Sequence, residues 1–388
     1  MITTVGVIVV MLFATIGLSG CSNIPSVFAW YDGWGREFGP TPLVMNAGET
    51  HIVTRAQFSF LDFEFERIEL VVDNETHENV VSIQNNTITA VNNGRALIIA
   101  YIHEGRVTVD GQRFNRTWMF FLGEVRVLNK ASMTPITTAQ DLADMNDNLE
   151  GNFILMADID LSEWGNWTPI GKLPREPFTG VFINSDAYVI RNLSINETVK
   201  TDSGQIAYYA GLFGRLQNAY IQGIILEDVN ISLIGDKYAD WPRTFVGGIA
   251  GFSGRSTIID SSVSGSIVGN YSVGGIVGTL STSEIINGKF EGNVEVIWHV
   301  ANAAYAGGIA GGIYGFWGPD WRGRQGLIKD SRVIYSNING HDTANVGGIV
   351  GISRAQEGVE EVINSTFTGV LKGHRTGDLI GFAPWRDL

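Results

Sequence analysis

The sequence predicts an all-β protein in two parts: a small β-sandwich, then a parallel β-helix whose N-terminal end is covered by a short helix. Three observations carry this. A glycine motif recurs through the C-terminal half, short runs rich in β-branched and aromatic residues fill residues 38–129, and one amphipathic stretch lies between them. The 48 glycines among 388 residues follow no G-X-Y period, so they point to tight turns or close backbone approaches and not to collagen. A formal net charge of −14 argues against a nucleic-acid partner, because binding a phosphate backbone needs a basic surface to release counterions.

The chain begins with an apolar run from Val5 to Ile16. It is shorter than the ~20 residues a membrane-spanning helix needs and suits the core of a signal peptide, read here as residues 1–20. Leu18-Ser19-Gly20-Cys21 resembles the bacterial lipobox, and that resemblance implies that Cys21 becomes a lipidated N-terminus. The protein would then be held on a bacterial envelope membrane by its acyl chains, outside the cytoplasm, with residues 21–37 as a tether. No Lys or Arg precedes the apolar run, so an ordinary cleaved signal peptide with an incidental cysteine stays open. Cys21 is the sole cysteine, so its acylation would exclude disulfides, thiolate catalysis and Cys-ligated metal.

Residues 38–129 contain the runs HIVTRAQFSF, RIELVV, VVSIQ, TITAV, ALIIAYI and TWMFFLGEVRVL, separated by turn residues. Runs of this length and spacing predict strands of a small sandwich. Within them VVSIQNNTITAVNNGRALIIAYI resembles the core of bacterial Ig-like (group 2) domains, carried by Val81, Ile83, Ile88, Ala90, Val91, Gly94 and Ala96. The resemblance implies a spacer or adhesion module without catalytic machinery. His51, His77 and His103 show no metal-ligand spacing, and D-x-[DN]-x-[DN]-G is absent, so neither metal nor cofactor is expected.

Residues 130–136 break the strand pattern and predict a linker. From Thr137 to Leu149, Leu142, Met145 and Leu149 recur at helical spacing, with Thr137 and Gln140 placed for a capping box. An uncovered solenoid end would expose strand edges and core, so this helix is assigned as the cap.

Residues 137–388 repeat. The motif glycines are Gly214, Gly251, Gly278, Gly311, Gly351 and the divergent Gly381, and the clean coil from Gly251 to Gly278 is 27 residues, the length of three short strands. Each copy is followed by a polar position, Asp260, Asn287, Asp330 or Asn364, with Val263, Phe290, Val333 or Phe367 three residues later. Ile190-Arg191-Asn192 with Ile195 reads as an earlier instance, and Gly223 takes that place after AGLFG. Like stacks on like in such a fold, so Leu212, Ile249, Ile276, Ile309, Ile349 and Leu379 are expected to form one core column. The Asp and Asn residues are expected to satisfy backbone groups at a corner, and the glycines to let the chain bend. DLADMNDNLEGNFILMADIDLSEWGNWTPIG, PFTGVFINSDAYVIRNLSI and the G-[LI]-x-G copies resemble GLUG-motif surface proteins, which implies a right-handed β-helix. Phe178, Gly180 and Phe182 match that family's F-x-G-x-F opening, whereas INSDAY departs from its next turn. No HExxH occurs, so the peptidase found beside such repeats in some relatives is not expected.

Function in a solenoid enters through insertions. The longest brings Tyr314, Phe316, Trp317, Asp320, Trp321, Arg322 and Arg324, and two earlier coils add Tyr238 with Trp241, and Trp298 with His299 and Tyr305. Aromatic residues beside Asp and Arg suit sugar rings, but aromatics are burial terms first and ligand platforms second, which favours a hydrophobic lid over the solenoid flank. The expected function is a lipid-anchored, non-catalytic surface module for adhesion or binding, its ligand a glycan or surface protein. Self-association through the last coil is a further expectation. The alternative is a polysaccharide lyase or hydrolase, but Asp158 and Asp160 of ADIDL belong to the structural part of the family pattern.

Overall fold

A computed structural model of the chain describes residues 27–30, 43–54, 66–73, 79–109, 112–200, 207–235, 243–297, 304–314, 326–354 and 361–383. These divide into two compact units, 1–132 and 133–388.

In the first unit, Gln112–Leu128 and Gly94–Val109 form a long antiparallel hairpin that Arg67–Val72 extends. Leu43–Asn46 and Val27–Trp30 run parallel to Gln112–Leu128, so part of the stretch expected to be a tether forms a strand. A second sheet pairs Thr50–Ile52, Thr87–Ala90 and Val81–Gln84. Met45, Ile88, Ala90, Ile98, Ile102 and Val125 from both sheets share one core. Alternation along each strand sends these side chains to the same side.

In the second unit every sheet is parallel, as a solenoid requires. Each complete coil has four strands, one more than its length suggested. The first face stacks Thr134–Ile136, Asn152–Leu155, Val181–Ile183, Tyr220–Gln222, Thr257–Ile259, Glu284–Ile286, Leu327–Lys329 and Val362–Ile363. Thr134–Ile136 had been placed in the linker; as an edge strand it tolerates Pro135, whose missing N–H breaks no ladder. The second face holds the longest strands, including Ile225–Gly235, Ser262–Gly269, Lys289–Val296 and Arg332–Gly340. The third stacks Ala207–Ala210, Arg243–Gly247, Ser272–Gly274, Tyr305–Gly307, Asn345–Gly347 and Arg375–Gly377. The fourth stacks Phe213–Gln217, Ala250–Gly254, Val277–Ser281, Ala310–Tyr314, Val350–Arg354 and Ile380–Phe382.

The expected core column is present. Ile249 N–H donates to Ile276 O at 2.9 Å, Ile276 to Ile309 at 3.0 Å, Ile309 to Ile349 at 2.9 Å and Ile349 to Leu379 at 3.1 Å. Leu212 and the four isoleucines are fully buried, and Leu379 is 40% exposed. Each buried isoleucine contributes about 1.5–3 kcal/mol.

The repeat's glycines lie where the third face gives way to the fourth, and they serve close approach where bending had been expected. A Cβ on Gly274 would lie 2.1 Å from Val277 O, and one on Gly278 2.5 Å from Gly251 O. A Cβ on Gly275 would lie 2.1 Å from Gly308 O and 2.3 Å from the Phe290 ring. Val263, Val333 and Phe367 press on Gly248, Gly308 and Gly348 in the same way. The two motifs of the repeat therefore recur together because they pack on one another.

At the corner between the first and second faces, Asp260, Asn287, Asp330 and Asn364 have φ of 51°, 52°, 53° and 47°, and Gly223 has 71°. These are the residue types that enter the left-handed region at least cost. The hydroxyls that satisfy the turn belong to the next residue. Ser331 Oγ accepts from Gly288 N at 3.0 Å and donates to Lys329 O at 3.0 Å, and Ser261 and Ser365 repeat the pattern. Asn192 does not belong to this column. It follows a second-face strand, and the earlier turn of the corner is held by Asn184, which donates to Tyr188 O and Gly223 O and accepts from Tyr188 N.

The capping helix, α1, is Ala139–Asp144, shorter than expected, and continues as a turn of 3-10 helix at Met145–Asp147. Its capping box uses Thr138 and Asp141, one residue later than the sequence suggested. Leu142 and Met145 are fully buried in the solenoid core.

Candidate functional site

The outward positions of the third and fourth faces form two facing columns. On the third they are Tyr209, Phe245, Ser272, Tyr305, Asn345 and Arg375, related by strand register. On the fourth they are Arg215, Phe252, Thr279, Gly312, Ile352 and Phe382. Contacts between the columns show that the two faces fold toward each other into a shallow cleft along the solenoid, filled at its middle by the buried Ser272, Thr279, Tyr305 and Ile352. Thr279 Oγ1 donates to Ser272 Oγ at 3.0 Å, and the Tyr209 and Phe252 rings lie 6.3 Å apart.

Rings run along this cleft from coil to coil. Tyr209 stacks on Phe245 at 5.3 Å, Phe245 meets Tyr271 edge-on at 5.2 Å, and Tyr271 meets Tyr305 at 5.7 Å. Arginines lie over them. Arg215 sits 5.3 Å from the Tyr209 ring and 5.1 Å from Phe252, and Arg243 lies 5.3 Å from Tyr271. Further along, Arg354 lies 5.6 Å from Tyr314, and Arg375 lies 4.2 Å from Phe382. Such placement orients a guanidinium while leaving its N–H edges able to donate.

At the centre three phenols and an arginine converge. Arg354 Nη2 donates to Tyr305 Oη at 3.3 Å, and the Tyr314 hydroxyl is hydrogen-bonded to those of Tyr271 and Tyr305. Burial, aided by the neighbouring phenols, pushes the Tyr314 hydroxyl far above its ordinary value, and burial raises Tyr305 likewise. Both stay protonated at neutral pH and can donate a hydrogen bond.

Of the residues singled out in the sequence, Tyr314 and Tyr305 belong to this cluster. Phe316, Trp317, Asp320, Trp321, Arg322, Arg324, Trp241, Trp298, Tyr238, His299 and Cys21 lie outside the described residues. Tyr209, Arg215, Phe245, Phe252, Tyr271 and Arg354 were missed. A signal existed for the third-face column, which stands two residues before the first glycine of each motif copy, as in Tyr209-Ala210-Gly211 and Phe245-Val246-Gly247.

The acids of ADIDL are structural. Asp158 accepts from Val189 N at 2.8 Å and pairs with Arg191, and Asp160 accepts from Ser162 N and Asn192 Nδ2, each at 2.8 Å. The Val189 backbone N–H holds Asp158 below the usual carboxylate range, and the Asn192 amide does the same for Asp160. Among the described residues no three His, Cys, Asp or Glu side chains are grouped as metal ligands, and no helix is long and apolar enough to cross a membrane.

No family model matches the chain. It is similar to the immunoglobulin A1 protease of Streptococcus sanguinis, at 24% identity over 249 residues, covering 62% of this chain and 11% of that protein. It is also similar to halomucin of Haloquadratum walsbyi, at 29% over 282 residues, covering 64% of this chain and 3% of that one. The chain thus spans a small part of each curated relative. A crystal structure of a Bacteroides ovatus protein provisionally assigned as an immunoglobulin A1 protease has a TM-score of 0.50 to this chain. The match covers 65% of this chain and 72% of that one at 20% identity, a likeness of fold alone.

Proposed function

We propose that this chain is a lipid-anchored bacterial cell-surface protein whose β-helix is a non-catalytic binding module, with glycans as the ligand class. The first unit serves as an Ig-like spacer, and the solenoid winds right-handed, the hand that connections between parallel strands of one sheet adopt in nearly every case. The observation that carries the reading is the cleft between the third and fourth faces, where rings line a continuous path across coils. The half-buried Tyr209, Phe245, Phe252 and Tyr271 leave ring edges to solvent near the rung spacing, about 4.8 Å, where sugar rings can pack.

The non-catalytic part of the reading is supported by the acids. Asp158 and Asp160 are held ionised by hydrogen bonds, which suits turns and not a general acid. The S. sanguinis relative is named a protease, but the match spans 11% of it and this sequence holds no HExxH, which favours a scaffold role for the shared part. Glycan-array binding together with an assay for new reducing ends tests the proposal. Binding without cleavage is expected, and Tyr209→Ala with Phe245→Ala should weaken it at least tenfold. Release of reducing ends or of unsaturated sugars would replace this reading with the hydrolase or lyase. Trp317→Ala with Trp321→Ala should abolish binding, and unchanged binding would remove the insertion from the site.

A further inference from the structure

We infer that the cleft recognises acidic polysaccharides, laid along the solenoid axis with their carboxylates or sulfates received by the exposed Arg243, Arg354 and Arg375. The inference rests on the glycan-binding reading and adds the charge of the ligand. Its basis is how charge is distributed among the faces. The twelve strands of the third and fourth faces carry Arg215, Arg243, Arg354 and Arg375 and no Asp, Glu or Lys. The chain as a whole is strongly acidic, at −14. Acids are frequent on the second face, as in Glu227, Asp228, Glu291 and Glu295. A cleft of one sign on a body of the other focuses attraction for an anion there and repels it elsewhere.

The side chains suit such a ligand in kind as well as in sign. Arginine forks pair with carboxylate and sulfate oxygens through two parallel N–H bonds, and each here is already oriented over a ring. Arg354 already donates through Nη2 to Tyr305 Oη, and Arg215, whose Nη1 donates to Pro174 O, acts by holding Tyr209 and Phe252. The rung repeat of about 4.8 Å is close to the length of one sugar in an extended chain, so successive residues of a polymer would meet successive coils in the same way.

The test uses the full chain and polygalacturonate, alginate and chondroitin sulfate, each beside a form neutralised by carboxyl reduction or desulfation, at physiological salt. At least one acidic polymer should bind ten times or more tighter than its neutralised form. Arg243→Gln with Arg354→Gln should remove that preference, so that acidic and neutral forms bind within about twofold of each other, while Arg→Lys at both positions should restore part of it. Unchanged thermal unfolding would show that the variants fold, as the exposure of both arginines leads one to expect. Equal binding of acidic and neutral forms, or a preference indifferent to the two arginines, would overturn the inference and leave the glycan-binding reading standing. Absence of binding to every polymer would overturn both. Tighter binding to single-stranded nucleic acid than to any of these polymers would assign the cleft to another class of anion and also end the inference.

Discussion

Asp330 and Ser331 stand side by side at one corner and make separable contributions. Asp330 supplies a backbone conformation, φ 53°, that glycine adopts more readily still. Asp330→Gly should therefore be neutral or stabilise by up to about 1 kcal/mol, whereas Asp330→Val should cost about 1–2 kcal/mol. Ser331 accepts a hydrogen bond from the buried Gly288 N–H, so Ser331→Ala should cost about 1–3 kcal/mol, measured by urea unfolding. Gly275→Ala should be worse, at about 3 kcal/mol or more, since its methyl would meet Gly308 O and the Phe290 ring. The sequence could mark all three positions because they recur. It could not divide the labour between Asp330 and Ser331, both short, polar and adjacent. Nor could it place Asn192, because the same left-handed signature serves a second-face bend as well as the corner.

At the scale of elements, helix α1 closes the first coil, and its start depends on one carboxylate. Asp141 accepts from Thr137 N at 2.9 Å, Thr137 Oγ1 at 2.8 Å and Thr138 N at 3.0 Å. These bonds, the Thr137 backbone N–H foremost, hold its folded pKa below the ordinary value. A lowered folded pKa means that its contribution is complete above the unfolded pKa and is lost as pH falls through the folded one. The stability advantage of the native chain over Asp141→Asn should accordingly be full at neutral pH and fade below about pH 4, read from urea midpoints across pH. Thr138→Ala should cost about 1 kcal/mol at neutral pH. Helical spacing of Leu142 and Met145 revealed this element from sequence. Its length and exact cap were not legible, since Thr137 and Thr138 are chemically equal candidates and only the chain's path into the helix selects one. The fourth strand of each coil was hidden for a related reason: Gly275 and Ile276 alone separate Ser272–Gly274 from Val277–Ser281, so two strands read as one.

For the whole molecule, stacking of coils was legible because identical side chains must recur where like lies on like, as Ile249, Ile276, Ile309 and Ile349 do. The cleft was not, because its columns are composed of Tyr, Phe, Ser, Asn and Arg. Their kinship appears only once strands are assigned to faces, and so does the segregation of charge. Everything said of the cleft depends on coils advancing by one strand per turn, which disulfide cross-linking tests directly. On the exposed second face, Asn337 Nδ2 donates to Asn293 Oδ1 at 3.0 Å, and register continues from Asn337 to Val370. In a Cys21→Ser background, Asn293→Cys with Asn337→Cys, and Asn337→Cys with Val370→Cys, should each close a disulfide under mild oxidation. Neighbouring strands lie about 4.8 Å apart, within disulfide reach, while Asn293→Cys with Val370→Cys spans two rungs and should stay reduced. Closure of that third pair, with the first two left open, would contradict the stacking on which the whole account stands.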